Sequence, residues 1–230
     1  MSTSPQDLPL LSRRGGAWGG IWSAVVVAAL AVLVVIEWSP LLSVDTAVAT
    51  WFHDWGVRND WAVTLALWLD RIGEFGVAFW VALAVVLLLV SRRRYWQALT
   101  LALVATLAPL ATHYLKLVVQ RPRPTWDVVL ATDPEFSFPS GHATSGIAVY
   151  AACGVALGSL LRNRSGGAWV VLPFVLLGVA IGVSRLVLGL HYPSDVVAGW
   201  CVALAFAGIT GALFVLPPYV QTHVRPRARR

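Results

Sequence analysis

Residues 140–191 read SGHATSGIAVYAACGVALGSLLRNRSGGAWVVLPFVLLGVAIGVSRLVLGLH. Two apolar legs flank the polar turn Arg162-Asn163-Arg164. Polar groups stand at both outer ends: Ser140, Gly141 and His142 before the first leg, Ser184, Arg185 and His191 after the second. Each leg is about 20 residues, which as an α-helix spans ~30 Å, one hydrocarbon thickness. Only a conformation that satisfies its own backbone hydrogen bonds crosses such a layer, so the legs are expected to be helices. A chain that descends, turns on arginines and returns brings His142 and Arg185 to the same depth on the same side.

The same pattern extends in both directions. Apolar runs cover about Ile21–Trp38, Phe75–Val90 (with Arg71–Glu74 as an extension), Trp96–Tyr114, Ser140–Leu161, Ala168–Leu188 and Pro193–Leu216. Residues 39–74 carry Asp45, Asp54, Asp60 and Asp70 and are too polar to span. They are expected to lie along the interface as amphipathic helices with Trp51, Trp55, Trp61 and Trp68 toward lipid. The expected fold is therefore all-α, a six-helix transmembrane bundle with short interfacial amphipathic helices, in one domain over residues 1–230 without an internal repeat.

Composition agrees. Of 230 residues, 58% are hydrophobic and only 12% charged, far from the balance of a soluble domain. Trp22, Trp38, Trp96 and Trp169 stand at the ends of apolar runs, where indole rings favour the headgroup level. The net charge of +6 does not imply nucleic acid, because the basic residues sit in short clusters between runs and not on one face. Cys153 and Cys201 fall inside apolar runs, as small buried residues and not as a disulfide framework or thiolate metal site. The run after Arg13 and Arg14 reaches Ile36 without a small-x-small cleavage site, the pattern of a retained signal anchor.

Charge also orients the chain. Arg13, Arg14, Arg92–Arg94, Arg162, Arg164 and the tail arginines Arg225, Arg227, Arg229 and Arg230 fall on one side, with only Asp7 against them. Arg58, Arg71, Lys116, Arg121, Arg123, Arg185 and every other acid fall on the opposite side. The positive-inside rule then places both termini in the cytoplasm of a multi-pass plasma-membrane protein, with 39–74, 116–139 and 186–192 outward.

Three polar groups share the outer side: Lys116-x6-Arg123-Pro124, Pro139-Ser140-Gly141-His142, and Ser184-Arg185-x5-His191-x3-Asp195. Lys116, Arg123 and Arg185 suit an anion with several oxygens, and arginine grips phosphate bidentately. Ser140 and Gly141 open a helix, whose free N–H groups and dipole favour an anion. Two histidines supply a nucleophile and a proton donor. Asp195 lies four residues after His191, on the same helical face, and can fix the imidazole tautomer. Pro193 is tolerated in that helix's first turn.

Taken in order, these elements resemble the three-part signature of the PAP2 family of membrane lipid phosphatases over residues 116–195, and the hydropathy extends the likeness over most of the chain. The resemblance implies that His191 becomes phosphorylated, that Asp195 orients it, and that His142 protonates the leaving group and then activates water. It implies that Lys116, Arg123, Arg185, Ser140 and Gly141 hold the phosphate oxygens, without metal or cofactor; the sequence itself offers no acidic metal cluster. Arg121-Pro122 repeats the Arg-Pro pair two residues early, and the six-residue spacing selects Arg123.

Each element alone has a plainer reading: Lys116 as a topology anchor, Ser140-Gly141 as a cap, His142 as a satisfied interface histidine. Their conjunction outweighs these. His113 reads as a packing or hydrogen-bonding residue, His53 and His223 as interfacial or solvated, and Asp127, Asp133 and Glu135 as a solvated loop face in preference to a rim of the site's entrance. The tryptophans read as belt anchors. A catalytically silent lipid-binding or transport protein would be expected to lack His142, His191 or Asp195, and all are present. A soluble vanadate haloperoxidase is at odds with the spans. The favoured substrate is a polyprenyl (undecaprenyl) pyrophosphate, since an outward site suits recycling of a lipid carrier; phosphatidic acid, diacylglycerol pyrophosphate and phosphatidylglycerophosphate are the alternatives. Nothing in the sequence sets an oligomeric state.

Overall fold

The computed structural model describes residues 13–161 and 164–214, with side chains over 15–161 and 165–212. The tail arginines, His223, Asp7, Arg162 and the expected end of the last span at Leu216 lie outside the described residues, as do the side chains of Arg13, Arg14 and Arg164.

Among the described residues the regular elements are all helices: α1 (Arg13–Val35), α2 (Ser39–Val57), α3 (Asp60–Gly73), α4 (Phe75–Ser91), α5 (Tyr95–Val119), α6 (Gly141–Ser145), a π-helical segment (Gly146–Ala151), α7 (Ala152–Gly158), α8 (Arg164–Val187) and α9 (Pro193–Phe214), with an irregular loop over 120–140. Four segments are long and apolar enough to cross a membrane: Gly15–Val35, Tyr95–Val119, Ser165–Val187 and Pro193–Ala212. The α3–α4 pair also passes that test jointly, bent by 56°. The protein is an integral membrane protein. The leg expected at Ser140–Leu161 is not one regular helix, because the π-helical segment interrupts it.

In lipid, helices associate through close packing and not through the hydrophobic effect, so small residues at crossings decide the approach. Gly146 meets Gly178 of α8 so closely that a Cβ on Gly146 would lie 2.6 Å from the Gly178 carbonyl oxygen. Leu89, Leu101, Tyr150, Cys153 and Ile181 fill the centre between α4, α5, α7 and α8. Val104, Ala108, Ala148, Val202 and Ala203 join α5 to α9. The outward faces keep large apolar side chains uncovered, including Trp22, Trp80 and Trp169, as a lipid-facing surface requires.

The segment 39–74 departs from a simple interfacial strip. Trp51, Trp61 and Trp68 are exposed, but α2 also buries Asp45 and His53. His53, expected at the interface or in solvent, stacks on Trp126 with ring centroids 4.2 Å apart, and its Nε2 donates to the Val128 carbonyl at 2.9 Å. The reason is tertiary: the 120–140 loop folds down onto α2 and covers it.

Candidate active site

Helix ends build the site. α5 stops at Gln120, which takes a left-handed conformation (φ 50°) and donates its N–H to the Lys116 carbonyl at 2.9 Å. Pro122 and Pro124 cannot continue the helix. Lys116, in the last turn, is buried. α6 begins at Ser140, whose Oγ accepts from the Ala143 N–H at 3.4 Å as an N-cap. The Ser140 N–H donates to the Asp195 carbonyl at 3.0 Å, so the amide expected to face an anion is bonded to α9 instead. α8 delivers Arg185 near its end. The turn to His191 passes through Gly189 at φ +69°, a conformation that favours glycine. Trp126 seals that turn by donating its Nε1–H to the Gly189 carbonyl at 2.8 Å.

His191 is fully enclosed. Its Nε2 lies 3.0 Å from Arg123 Nη1, and its Nδ1 lies 3.5 Å from Asp195 Oδ2. A guanidinium only donates, so Nε2 is the accepting nitrogen and Nδ1 carries the hydrogen, facing the carboxylate. Burial pushes the imidazole from its ordinary 6.5 down to about 3, against the pull of Asp195. The neutral ring therefore persists at pH 7, with its Nε2 lone pair toward Arg123. Arg123 is held in turn by the Glu135 and Leu190 carbonyls, each at 2.7 Å.

The cations are not free. Lys116 Nζ pairs with Glu135 Oε2 at 2.6 Å, and this bond holds the Glu135 carboxyl below its usual range. Arg123 Nη2 meets Asp133 Oδ2 at 2.7 Å, and Arg185 Nη2 meets the same oxygen at 3.1 Å. Arg185 Nη1 is in contact with Asp70 Oδ1. His142 Nε2 lies 3.2 Å from that Asp70 oxygen without hydrogen-bond geometry. Asp133, expected on a solvated loop face, thus turns into the site, drawn by the buried guanidinium groups. Glu135 stays exposed to solvent, as expected, while its carboxylate reaches Lys116.

A cavity of about 620 Å³ opens from this cluster, lined by Lys116, Glu135, Gly141, His142 and His191 at its polar end and by Phe75, Thr106, Pro109 and Leu110 further on. From Lys116 to Thr106 along α5 is about 15 Å of helix axis, so the cavity runs into the depth of the membrane-crossing helix. His113, expected to be a packing or hydrogen-bonding residue of its span, lies edge-on to Tyr114 with ring centroids 5.9 Å apart and also lines this cavity.

A family model for the PAP2 superfamily matches residues 97–216, more than half of the chain. The chain belongs to the PAP2 superfamily. It is 40% identical over 136 residues to a decaprenylphosphoryl-5-phosphoribose phosphatase of Mycolicibacterium smegmatis, covering 57% of this chain and 67% of that one. It is 30% identical over 164 residues to the undecaprenyl-diphosphatase BcrC of Bacillus subtilis, covering 67% and 78%. Its fold matches the crystal structure of a transmembrane PAP2-type phosphatidylglycerolphosphate phosphatase from Bacillus subtilis with a TM-score of 0.75, at 22% identity over 92% of this chain and 100% of that one. This PAP2 chain is an integral membrane phosphatase.

The eight residues singled out in the PAP2 signature meet around one site: Lys116, Gly141, His142 and His191 on the cavity wall, Arg123 on His191, Arg185 reaching Asp133 beside Arg123, and Ser140 bonded to the backbone of Asp195. Sequence reasoning missed the partners of Asp45 and Asp70, the inward turn of Asp133 and the pairing of Glu135 with Lys116. One signal pointed to them: the charge pattern of the sequence groups every acid but Asp7 with Lys116, Arg123 and Arg185.

Proposed function

We propose that this phosphatase removes the terminal phosphate of a polyprenyl pyrophosphate through a phosphohistidine on His191, at the outer face of the membrane. The observation that carries the reading is the cavity, which sets a neutral buried histidine and Lys116 at one end, with Arg123 and Arg185 paired to the lining residues His191 and Asp133, and an apolar wall at the other. Nε2 of His191 attacks phosphorus, and the bond from phosphorus to the bridging oxygen breaks. His142, supported by Asp70, protonates the leaving group, and Asp195 stabilises the imidazolium. His142 then takes a proton from water, which attacks phosphorus, and the P–N bond breaks to release inorganic phosphate. Lys116, Arg123 and Arg185 hold the oxygens, with Gly141 and Ser140 shaping the opening of α6. The names of the two sequence relatives, one decaprenyl and one undecaprenyl, support a polyprenyl-linked phosphate.

A second reading has its own support. The 40% identical relative is named for a sugar-phosphate monoester on decaprenyl phosphate and not for an anhydride. Phosphate release in detergent over a panel of polyprenyl pyrophosphate, polyprenylphosphoryl phosphoribose, phosphatidic acid and phosphatidylglycerophosphate decides between them. The pyrophosphate is expected to be turned over fastest, and activity is expected to persist in EDTA because side chains supply the positive charge. A faster phosphoribose substrate would favour the second reading, and loss of activity in EDTA restored by a divalent ion would refute the metal-independent one.

The phosphate enters by displacing the loop carboxylates. Asp133 and Glu135 together bring two negative charges to Lys116, Arg123 and Arg185, the charge of a terminal phosphate dianion. Asp133→Asn is therefore expected to lower KM and the inhibition constant for vanadate about three- to tenfold, since a competing anion is gone. A raised KM would mean that the carboxylate helps to hold the substrate.

We read six crossings: α1, α4, α5, the α6–π–α7 unit, α8 and α9, with both termini cytoplasmic. α4 has 17 residues and the interrupted unit has segments of five, six and seven, slightly under the ~20 of a full span. With Cys153 and Cys201 replaced, single cysteines from Val129→Cys and Arg92→Cys give the test. An impermeant thiol reagent applied to intact cells is expected to label position 129 and spare 92; the opposite pattern inverts the topology.

A further inference from the structure

The spacing from Lys116 assigns Arg123 and leaves Arg121 without a place. In the structure the two arginines grip the His191–Asp195 pair from opposite ends. Arg123 reaches Nε2 of His191, while Arg121 Nη1 donates to Asp195 Oδ1 at 2.7 Å and to Ser194 Oγ at 2.8 Å. The other prong, Nη2, donates to Asp45 Oδ2 of α2 at 2.8 Å. Asp45 also accepts from the Ser194 N–H at 2.9 Å and from the Ser194 hydroxyl. The guanidinium carbon sits 4.1 Å over the Tyr192 ring. Arg121, Asp45, Ser194 and Asp195 are all buried, between 0% and 6% exposed, so these are not surface pairs screened by water.

We propose that Arg121 and Asp45 are positioning residues for His191 that act through Asp195: the guanidinium fixes the carboxylate, and Asp45 draws off enough of the guanidinium's charge for Asp195 to stabilise the imidazolium. The inference rests on the reading of His191 as the nucleophile. A carboxylate that keeps an arginine to itself is a weak partner for a second cation. Here one guanidinium is shared between two carboxylates, and the buried group carries one net negative charge while His191 is neutral. When Nε2 bonds to phosphorus the ring becomes cationic and the group becomes neutral. Without Asp45 the group is neutral at rest and positive after attack, in a place where an uncompensated charge is costly. Lysine cannot substitute, because a point charge does not hold two carboxylates in the fixed directions of the guanidinium fork.

The alternative is a tie that merely fastens α2 to the loop. Asp45→Asn and Arg121→Lys separate the two roles, measured on the full-length protein in detergent with polyprenyl pyrophosphate. Each is expected to lower kcat about tenfold, with KM within about twofold of wild type, because neither residue reaches the cations that hold phosphate. In a single turnover the loss falls on phosphoenzyme formation. Arg121→Gln strands two buried carboxylates and is expected to lose folded protein; adding Asp45→Asn restores the single negative charge and is expected to restore both folding and part of kcat. Lowered melting temperature with kcat per folded molecule unchanged in Asp45→Asn and Arg121→Lys overturns the proposal, as does a rise in KM at constant kcat. Should Asp45→Asn not fold, Arg121→Lys, which keeps the charge, decides alone. Absence of a phosphoenzyme in the wild type would instead sink the nucleophile reading, so the two failures are distinguishable.

Discussion

His191→Gln is expected to abolish turnover, by at least ~10⁴-fold, because it removes the nucleophile itself. The fold should survive. Nε2 of His191 accepts from Arg123 in the resting site, and a glutamine carbonyl oxygen offers an acceptor there, while Arg123 keeps its bond to the Leu190 carbonyl at 2.7 Å. The stability change should stay within ~2 kcal/mol. The decisive measurement is covalent. Radiolabelled substrate is mixed with enzyme and quenched in alkaline detergent, where phosphohistidine persists. Wild type should retain acid-labile label and the variant none. Acid-labile phosphate on the His191→Gln protein would reassign the nucleophile, with His142 the next residue to examine. Burial of the ring adds a second expectation: acidification through pH 6.5 leaves His191 neutral, so any loss of turnover measured between pH 5 and 6.5 is expected to come from another group, because the folded ring takes up its proton only well below 6.5.

Asp195→Asn is expected to reduce turnover by ~10² to 10⁴, between the scale of lost orientation and that of the analogous change in a Ser-His-Asp triad. The geometry places the residue where it caps a helix and faces His191, the nucleophile of the proposed mechanism. Oδ2 accepts from the Tyr192 N–H at 2.8 Å, the backbone donor at the start of α9, and from the Ser137 hydroxyl; Oδ1 accepts from Arg121 at 2.7 Å. An asparagine has one oxygen and one NH2, so either orientation points a donor at a donor: the guanidinium on one side, or the Tyr192 N–H and the protonated Nδ1 on the other. Arg121 retains Asp45 but loses one of its two buried counter-ions, for which ~3 kcal/mol is the expected loss of stability. A residue that only capped α9 would cost ~1 kcal/mol and leave turnover intact. Melting temperature and turnover measured on the same sample read both quantities. Near-wild-type turnover per folded molecule would leave Asp195 as a cap alone.

Asp70 shows how far local pattern reaches. Its position in a Trp-rich amphipathic segment gave it the reading of an interfacial acid, and α3 does expose Trp61 and Trp68. Yet it touches both Arg185 of α8 and His142 of α6, two elements more than 70 residues further along the chain. Asp133 and Glu135 read as loop polarity for the same reason. A solvated acid and an acid folded onto a guanidinium have the same sequence neighbours.

The sequence by itself determined that the chain is helical and membrane-embedded, because run length and charge placement are properties of one segment at a time. It determined that His142, Arg185, Lys116 and His191 end at one depth, because a helix rises by a fixed ~1.5 Å per residue and a membrane has a fixed thickness. Through its resemblance to the PAP2 signature it also set Arg123 apart from Arg121 as the expected phosphate ligand. The tertiary structure alone decided what each charge faces. Arg121 on Asp195 and Asp45, Asp133 across Arg123 and Arg185, and the interruption of the fourth leg at Gly146 against Gly178 all depend on how helices distant in sequence pack. Charge pairing is set by distances of a few ångströms between such helices, and periodicity within a single helix carries no information about them.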